Sequence, residues 1–246
     1  TLTVASLMVA LTMIISINSV SYSFEVDMNE WIDSVLGGDL YVRGAVPLRE
    51  SLADQLRKIN GVALITPTRM ITVRAAVSSL PPDVTEDTFI FNAIDPTTYR
   101  QIADMQFSTN QGDPQANWDT LSRGSAIFIS NVTADRFDLQ QGDSLTLITR
   151  RGEHNFYVAA VVLDFTGQSG VLYGTYSDLY DWFGERGVDR FTIKVAPGYS
   201  IEQVAQEIEE RYQKRYQISV QTTQSFKESI LTLVNQSFRL FDVLSM

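Results

Sequence analysis

Residues 189–223 read DRFTIKVAPGYSIEQVAQEIEERYQKRYQISVQTT, and their hydrophobic pattern predicts a strand, a helix and a second strand. The helical part carries an apolar face with three- and four-residue spacing. That face consists of Ile201, Val204, Ile208 and Tyr212. Ser200 precedes the helix as its N-cap, and Gln203 occupies the third helical position, as in a capping box. The stretch is therefore predicted to be a βαβ unit.

The same order of elements occurs near the start of the chain. Residues 39–45, DLYVRGA, predict a strand, and residues 48–61, LRESLADQLRKING, predict a helix. The apolar face of this helix consists of Leu48, Leu52, Leu56 and Ile59. Residues 62–77, VALITPTRMITVRAAV, follow as a strand pair or as one long strand with a kink at Pro67. Two βαβ units in one chain predict an α+β fold, with a split βαβ, or ferredoxin-like, sheet covered by helices on one face.

A β-rich insertion separates the two units. Its predicted elements are strands at 87–95 and 125–131, helices at 96–104 and 132–139, and a hairpin at 144–165. The hairpin has clear signals, because apolar and polar residues alternate on both sides of a turn at Arg151-Gly152-Glu153. Residues 108–124, STNQGDPQANWDTLSRG, are expected to form a polar loop.

Both ends of the chain carry helical apolar patterns. The first 24 residues contain no charge, and an α-helix of that length would rise about 36 Å, enough to cross a bilayer core of about 30 Å. Three readings are open for this segment: a secretory signal peptide, a buried core helix, or a membrane helix. The membrane helix is favoured because the apolar stripe continues to Val35 through the position where a signal peptide would end.

The apolar stripe of the first helix has a counterpart at the other end of the chain. On the N-terminal side it includes Phe24, Met28 and Trp31, and on the C-terminal side Phe226, Ile230, Leu233 and Phe238. We predict that the two stripes face one another in a two-helix stalk that stands on a membrane. The alternative is a pair of amphipathic helices docked on a globular core.

Composition excludes several classes of function. The 246 residues are 44% hydrophobic, which is enough for a packed core. A formal charge of −10, with no cluster of Lys and Arg to offset it, argues against nucleic acid as a partner. The chain has no cysteine, which excludes disulfides, zinc thiolate sites and cysteine nucleophiles.

We find no constellation of residues that predicts catalysis, a metal site or a cofactor site. His154 is the sole histidine and is expected to be a solvated residue beside a hairpin turn. Neither of the familiar phosphate-binding glycine loops occurs in the sequence. A set of aromatic residues between 173 and 183 either belongs to the core or lines a surface for a partner or substrate. The set is Tyr173, Tyr176, Tyr180, Trp182 and Phe183.

In their order and spacing, these segments resemble the extracytoplasmic domain of FtsX-like ABC transporter permeases, the MacB-like periplasmic core domain. The similarity is most specific in residues 124–164. It also includes four shorter segments: 9–32, 38–44, 56–73 and 237–246. Trp31 together with residues 39–42, DLYV, looks most like the second such domain of duplicated permeases.

The resemblance implies a domain organisation. A porter subdomain would be built from residues 37–84 and 187–223, with an inserted β-rich subdomain, often called Sabre, at 85–186. The stalk would consist of residues 1–36, which include a membrane helix, and of residues 224–246, which lead to the next membrane helix.

The resemblance also implies a function. Such domains couple ATP hydrolysis by a cytoplasmic partner to movement or export of an envelope substrate, a mode called mechanotransmission. The expected partners are a cytoplasmic ATP-binding subunit, a second permease copy or paralogue, and an envelope protein or lipoprotein. The domain would lie on the extracytoplasmic side of the plasma (inner) membrane, would not be an enzyme and would hold no cofactor, because ATP is bound by the partner.

A different class of protein is the main alternative. An extracellular ligand-binding sensor domain of a membrane receptor would also be flanked by two membrane helices. It would bind a small ligand near residues 173–183.

Overall fold

The computed structural model describes residues 37–76, 88–103, 105–164 and 170–229, together with a few isolated helical positions in residues 8–23 and Thr232. The chain divides into two compact units. One unit is Gly37–Thr223, and the other consists of Thr1–Leu36 with Gln224–Met246. The predicted division into five segments stays a prediction.

The described elements confirm the predicted α+β class. The strands are β1 (Leu40–Leu48), β2 (Val62–Ala75), β3 (Thr88–Ile94), β4 (Ala126–Ser130), β5 (Ser144–Thr149), β6 (Gly152–Val162), β7 (Val171–Thr175), β8 (Val188–Val195) and β9 (Ile218–Thr222). The helices are α1 (Leu52–Leu56), α2 (Pro96–Ile102), α3 (Pro114–Ser122), α4 (Asn131–Phe137), α5 (Tyr176–Asp178) and α6 (Ile201–Tyr216). A π-helical turn, Leu179–Phe183, follows α5, and residues 223–229 are helical.

The first and last strands of the unit form an antiparallel sheet in the order β2-β8-β1-β9. Helix α1 connects β1 to β2, and α6 connects β8 to β9, which gives two interleaved βαβ units. Buried side chains of both helices, such as Leu52 and Ile208, belong to the same hydrophobic cluster as Val42 and Phe191 of the strands. Both helices therefore cover the same face of the sheet.

All nine described strands form one continuous sheet, in which β2 changes its neighbour along its length. Its first half pairs with β8, from Val62 to Thr68, and its second half pairs with β3, from Thr68 to Arg74. It is one continuous strand, not a pair of strands. We call the point near Thr68, where β2 leaves β8 and joins β3, the fork.

Beyond the fork, the described strands close into a barrel. The pairings run β2-β3-β7-β4-β6-β5 and return to β2 through the short contact of Arg74 and Ala75 with Ile148 and Leu147. All six strands contribute side chains to one cluster, which is therefore the barrel interior. Its largest fully buried members are Phe89, Phe91 and Phe156. Each of these six strands therefore has a paired neighbour on both sides, although β2–β5 and β4–β7 pair over only two residues each.

A β-bulge in β6 sets which residues face the barrel interior. Ile127 pairs with Val158, but the next residue, Phe128, pairs with Ala160, so Ala159 is the extra residue. Val158 and Val161 consequently both lie in the interior cluster. The outer face of the same strands is covered by α2 and α3, which pack through Tyr99, Trp118 and Leu121.

Two sequence expectations were wrong in part. Residues 108–124 are not a polar loop throughout, because α3 forms there with Asp113 as N-cap and Pro114 at its first position. The helix predicted over 48–61 is reduced to α1, Leu52–Leu56, and Leu48 ends β1 instead. All four predicted apolar residues of that segment are nevertheless buried.

No helix within the described residues is long and apolar enough to cross a bilayer. The membrane helix predicted in residues 1–36 falls, apart from isolated positions, outside those residues.

Candidate functional site at the fork

The predicted stalk residues are mostly beyond the described part of the chain. Phe226 is half-buried in the helical segment 223–229. Phe24, Met28, Trp31, Ile230, Leu233 and Phe238 lie outside the described residues. Their coupling role stays a prediction.

The predicted aromatic surface separates into three places. Tyr173 in β7 is buried in the outer layer of the barrel, where its hydroxyl donates to Asp164 at 2.6 Å. Burial, Tyr99 and the nearby Asp164 together raise the pKa of Tyr173. Tyr176 and Tyr180 lie together beside the fork. Trp182 instead stacks on His154, with ring centroids 3.5 Å apart.

His154 is not a solvated turn residue. It lies in β6, half-buried, and its Nε2 atom is 2.9 Å from the Oγ atom of Ser125. Burial lowers the pKa of His154, and the negative charge of Asp178 only partly opposes this effect. The lowered pKa favours the neutral imidazole, which packs as an aromatic side chain against Trp182.

The side chain of Arg69, on β2, lies at the fork and binds two carboxylates. One terminal nitrogen of its guanidinium is 2.5 Å from Oδ1 of Asp189, and the other is 3.3 Å from Oε2 of Glu185. The second Asp189 oxygen accepts the backbone N–H of Met70 at 2.7 Å. Only 14% of the Arg69 side chain is exposed.

Arg69 keeps its positive charge in this position. Burial alone would lower the pKa of the guanidinium, but the bonds and charges of Asp189 and Glu185 outweigh it and raise the pKa. Both ion pairs are hydrogen-bonded, and the pair with Asp189 is the better shielded of the two, because the Asp189 side chain is 25% exposed and that of Glu185 is 38% exposed.

A second polar contact joins the other side of the fork. Glu50, two residues before α1, accepts the hydroxyl hydrogen of Tyr180 from the π-helical turn. The same Glu50 oxygen also accepts the backbone N–H of Gly187 at 3.5 Å. Burial and this bond to Glu50 raise the pKa of Tyr180. Glu50 thus links the sheet part of the molecule to the barrel part.

A cavity of about 270 Å³ lies between these elements. Its wall includes Glu50, Asp54, Asp95, Tyr176, Tyr180 and Phe191. The Tyr176 hydroxyl is buried and has no hydrogen-bond partner among the described residues, and burial strongly raises its pKa. The polar contacts of the fork therefore lie beside a cleft that is open to solvent.

A larger, more open cavity of about 600 Å³ lies on the outer layer of the barrel, beside Arg100, Phe107 and Trp118. Within the described residues, no group of three or more His, Asp or Glu side chains is arranged to hold a metal ion.

Sequence reasoning singled out Tyr176 and Tyr180 but missed the charged residues of the fork, Glu50, Arg69, Glu185 and Asp189. A signal for Arg69 exists, since it is a lone charge in the apolar run ITPTRMITV, residues 65–73. A buried charge needs an opposite charge nearby, and residues 185–189, ERGVD, supply two carboxylates. Nothing in the sequence, however, indicates which of the chain's acidic residues is the partner.

Comparisons with known proteins agree with this architecture. The sequence model of the MacB-like periplasmic core domain family matches residues 1–211. An uncharacterised ABC transporter permease protein of Mycobacterium tuberculosis is 21% identical over 96% of the chain, and the chain spans 28% of the length of that relative.

Two solved structures have the same fold. The periplasmic region of MacB from Actinobacillus actinomycetemcomitans gives a TM-score of 0.57 at 13% identity, covering 81% of this chain and 95% of that one. The extracellular domain of the noncanonic ABC-type transporter YknZ from Gram-positive bacteria gives a TM-score of 0.53 at 14% identity. This match covers 75% of this chain and 98% of that one. The chain therefore belongs to the family of MacB-like periplasmic core domains, the extracytoplasmic domains of ABC transporter permeases.

Proposed function

We propose that this domain transmits force. ATP hydrolysis by a cytoplasmic partner subunit would move the stalk, the stalk would move the ferredoxin-like sheet, and the sheet would move the barrel against an envelope substrate. Family membership implies the ATP-binding partner and the membrane association. The second permease copy or paralogue and the envelope protein or lipoprotein partner are part of this proposal.

One observation carries the proposal. The chain enters the unit at β1 and leaves it at β9, and these strands pair directly, with Leu40 opposite Thr222. Thr223 then donates its backbone N–H to the carbonyl of Asp39 at 2.9 Å and its hydroxyl to the carbonyl of Gly38 at 2.9 Å. The two connections to the stalk segments therefore start side by side. Two clasped helices that act as one rod need this arrangement.

The test uses the full-length permease with its ATPase partner in lipid nanodiscs. Hydrogen exchange of residues 37–223 is measured with and without ATP and vanadate, which traps the hydrolytic state. In the wild type, we expect nucleotide to change exchange in β1 and β9. Trp31→Asp and Phe238→Asp place a charge in the predicted apolar seam, and each should abolish this change while nucleotide binding by the partner is retained.

Conservative variants serve as controls. Trp31→Phe and Phe238→Leu keep the seam apolar and should respond to nucleotide as the wild type does. A normal response in both aspartate variants would contradict the proposed role of the stalk. The alternative, a sensor domain, predicts a response to an extracellular ligand that does not require ATP, so the same measurement separates the two functions.

A further inference from the structure

The segment that joins the barrel to β8 is held from two sides. This junction segment, residues 184–189, follows the π-helical turn and runs into the start of β8. Arg69 binds its carboxylates at Glu185 and Asp189 from the side of β2. Glu50 binds its backbone at Gly187 from the side of α1.

The two clamps come from opposite sides of the fork. Arg69 lies in the barrel half of β2, opposite Ala93 of β3 and directly after Thr68, the last residue of β2 that pairs with β8. Glu50 lies at the entry to α1 and also holds Tyr180 of the barrel's π-helical turn. Contacts from two elements, one on each side, restrain a joint against both bending and twisting.

The joint is open to solvent on the side of Glu50. A cleft of about 270 Å³ lies there beside Tyr176 and Tyr180, and its wall includes the exposed residues Glu50, Asp54 and Arg57. Tyr176 packs against both hydrophobic clusters, but no apolar packing fills the cleft itself. On this side, the directional contacts of Glu50 are what restrain the orientation of barrel and sheet.

We propose that Arg69 and Glu50 are positioning residues that lock the ferredoxin-like sheet and the barrel into one rigid lever, so that a displacement of the sheet moves the barrel with it. The proposed rigidity concerns only the unit Gly37–Thr223. The second part of the proposal, that this rigidity serves coupling, rests on the proposed function.

The rigidity is tested by pulsed EPR distances on the full-length permease with its partner. Spin labels are placed at Val46→Cys in β1 and Tyr157→Cys in β6, which are 67% and 42% exposed and lie in the two parts that the lever joins. The 246 residues contain no native cysteine that would compete for label. We expect a narrow distance distribution in the otherwise wild-type protein.

Arg69→Met removes the charge and keeps the length of the side chain, and it should broaden this distribution. Arg69→Lys keeps the charge without the forked geometry and should broaden it less. Arg211→Met is the matched control, because it removes a surface ion pair with Glu207 on α6, away from the fork. It should leave the distribution unchanged.

Tyr180→Phe tests the second clamp and covers the case in which Arg69→Met fails to fold. It removes the bond to Glu50 while the ring stays in place, and it should also broaden the distribution. The proposed lever would be refuted if the distance distribution keeps its width in both Arg69→Met and Tyr180→Phe. It would also be refuted if Arg211→Met broadens the distribution as much as they do.

Coupling is read separately, by hydrogen exchange with ATP and vanadate. In Arg69→Met, we expect the nucleotide response of β1 and β9 to persist and that of β4 and β7 in the barrel to be lost. A retained barrel response despite a broadened distance distribution would refute the coupling role. If nucleotide changes exchange in neither part of the wild type, the proposed function fails, and the EPR distances still decide whether the joint is rigid.

Discussion

At the scale of single residues, a close contact between a glycine and an aromatic ring constrains the packing of the barrel. Gly174 of β7 lies opposite Ala93 of β3, and a Cβ atom at this position would be 2.1 Å from Cζ of Phe91. Phe91 is fully buried among the aromatic side chains of the barrel interior. The glycine is therefore required by the ring of Phe91 and not by a turn.

Gly174→Ala should destabilise the fold by about 1–3 kcal/mol, the usual cost of overpacking a core. In a Phe91→Leu background, the clashing atom is absent, so the added methyl should cost much less. Urea unfolding of the purified chain in a mild detergent, followed by circular dichroism, measures both effects. An equal cost in the two backgrounds would show that the contact with Phe91 is not the cause.

Single residues also show the limit of sequence reasoning. Burial of Val204 and Ile208 follows from their spacing, because a helix with one apolar face must turn that face to the core. The bond between Tyr180 and Glu50 joins residues that are 130 positions apart. Local patterns carry no information about such a partner, so neither the fork nor the splitting of the aromatic set could be predicted.

At the scale of elements, predictions succeeded where one local rule acted alone. The N-cap of α6 is confirmed, because the Ser200 hydroxyl accepts the backbone N–H of Gln203. Helix α3 was missed because its polar composition suggested a loop. The pair Asp113-Pro114, with Trp118 and Leu121 at helical spacing, was the available signal for its start and buried face.

The C-terminus of α6 carries backbone strain that a substitution can relieve. Gln217 is the C-cap and has a φ of 51°, in the left-handed region that a residue with a Cβ atom adopts at a cost of about 1 kcal/mol or more. Its backbone N–H completes the helix by donating to the carbonyl of Gln213 at 2.8 Å. The conformation is therefore needed, but the side chain at this exposed position is not.

Gln217→Gly should raise the free energy of unfolding by about 0.5–1 kcal/mol, the gain from relieved strain less the extra flexibility of the unfolded chain. The same urea titration measures it. Gln217→Ala keeps the Cβ atom and should give no gain. If alanine stabilises as much as glycine, the strain at the C-cap is not what limits the helix.

At the scale of the whole molecule, the sheet could be predicted and the barrel could not. Two βαβ patterns at opposite ends of the sequence are enough to indicate a split sheet. Barrel closure depends instead on the parallel pairings β3–β7 and β4–β6 and on the short contact of β2 with β5. Strand periodicity shows which residues face inward, but it does not show which strands are neighbours.

The two parts have separate hydrophobic clusters, which predicts that the ferredoxin-like part can fold without the barrel. Its cluster is formed by β1, α1, the first half of β2, β8, α6 and β9. Among its buried members, only Val188 would be removed by excising residues 69–189. A short turn can connect the two ends that the excision leaves, because Thr68 and Arg190 are antiparallel partners.

We therefore expect a chain of residues 37–68, Asn-Gly and residues 190–223 to fold, since Asn-Gly favours the two-residue hairpin turn that this register requires. A domain of this size buries only about 60% of its surface, so its stability should be low, but unfolding in urea should still be cooperative. Leu52→Ala, which empties a fully buried site under α1, should cost about 2–5 kcal/mol or abolish the transition. A non-cooperative loss of signal in the parent chain, unaffected by Leu52→Ala, would mean that the barrel is needed to form the sheet. The fork would then be part of a single folding unit and not a joint between two.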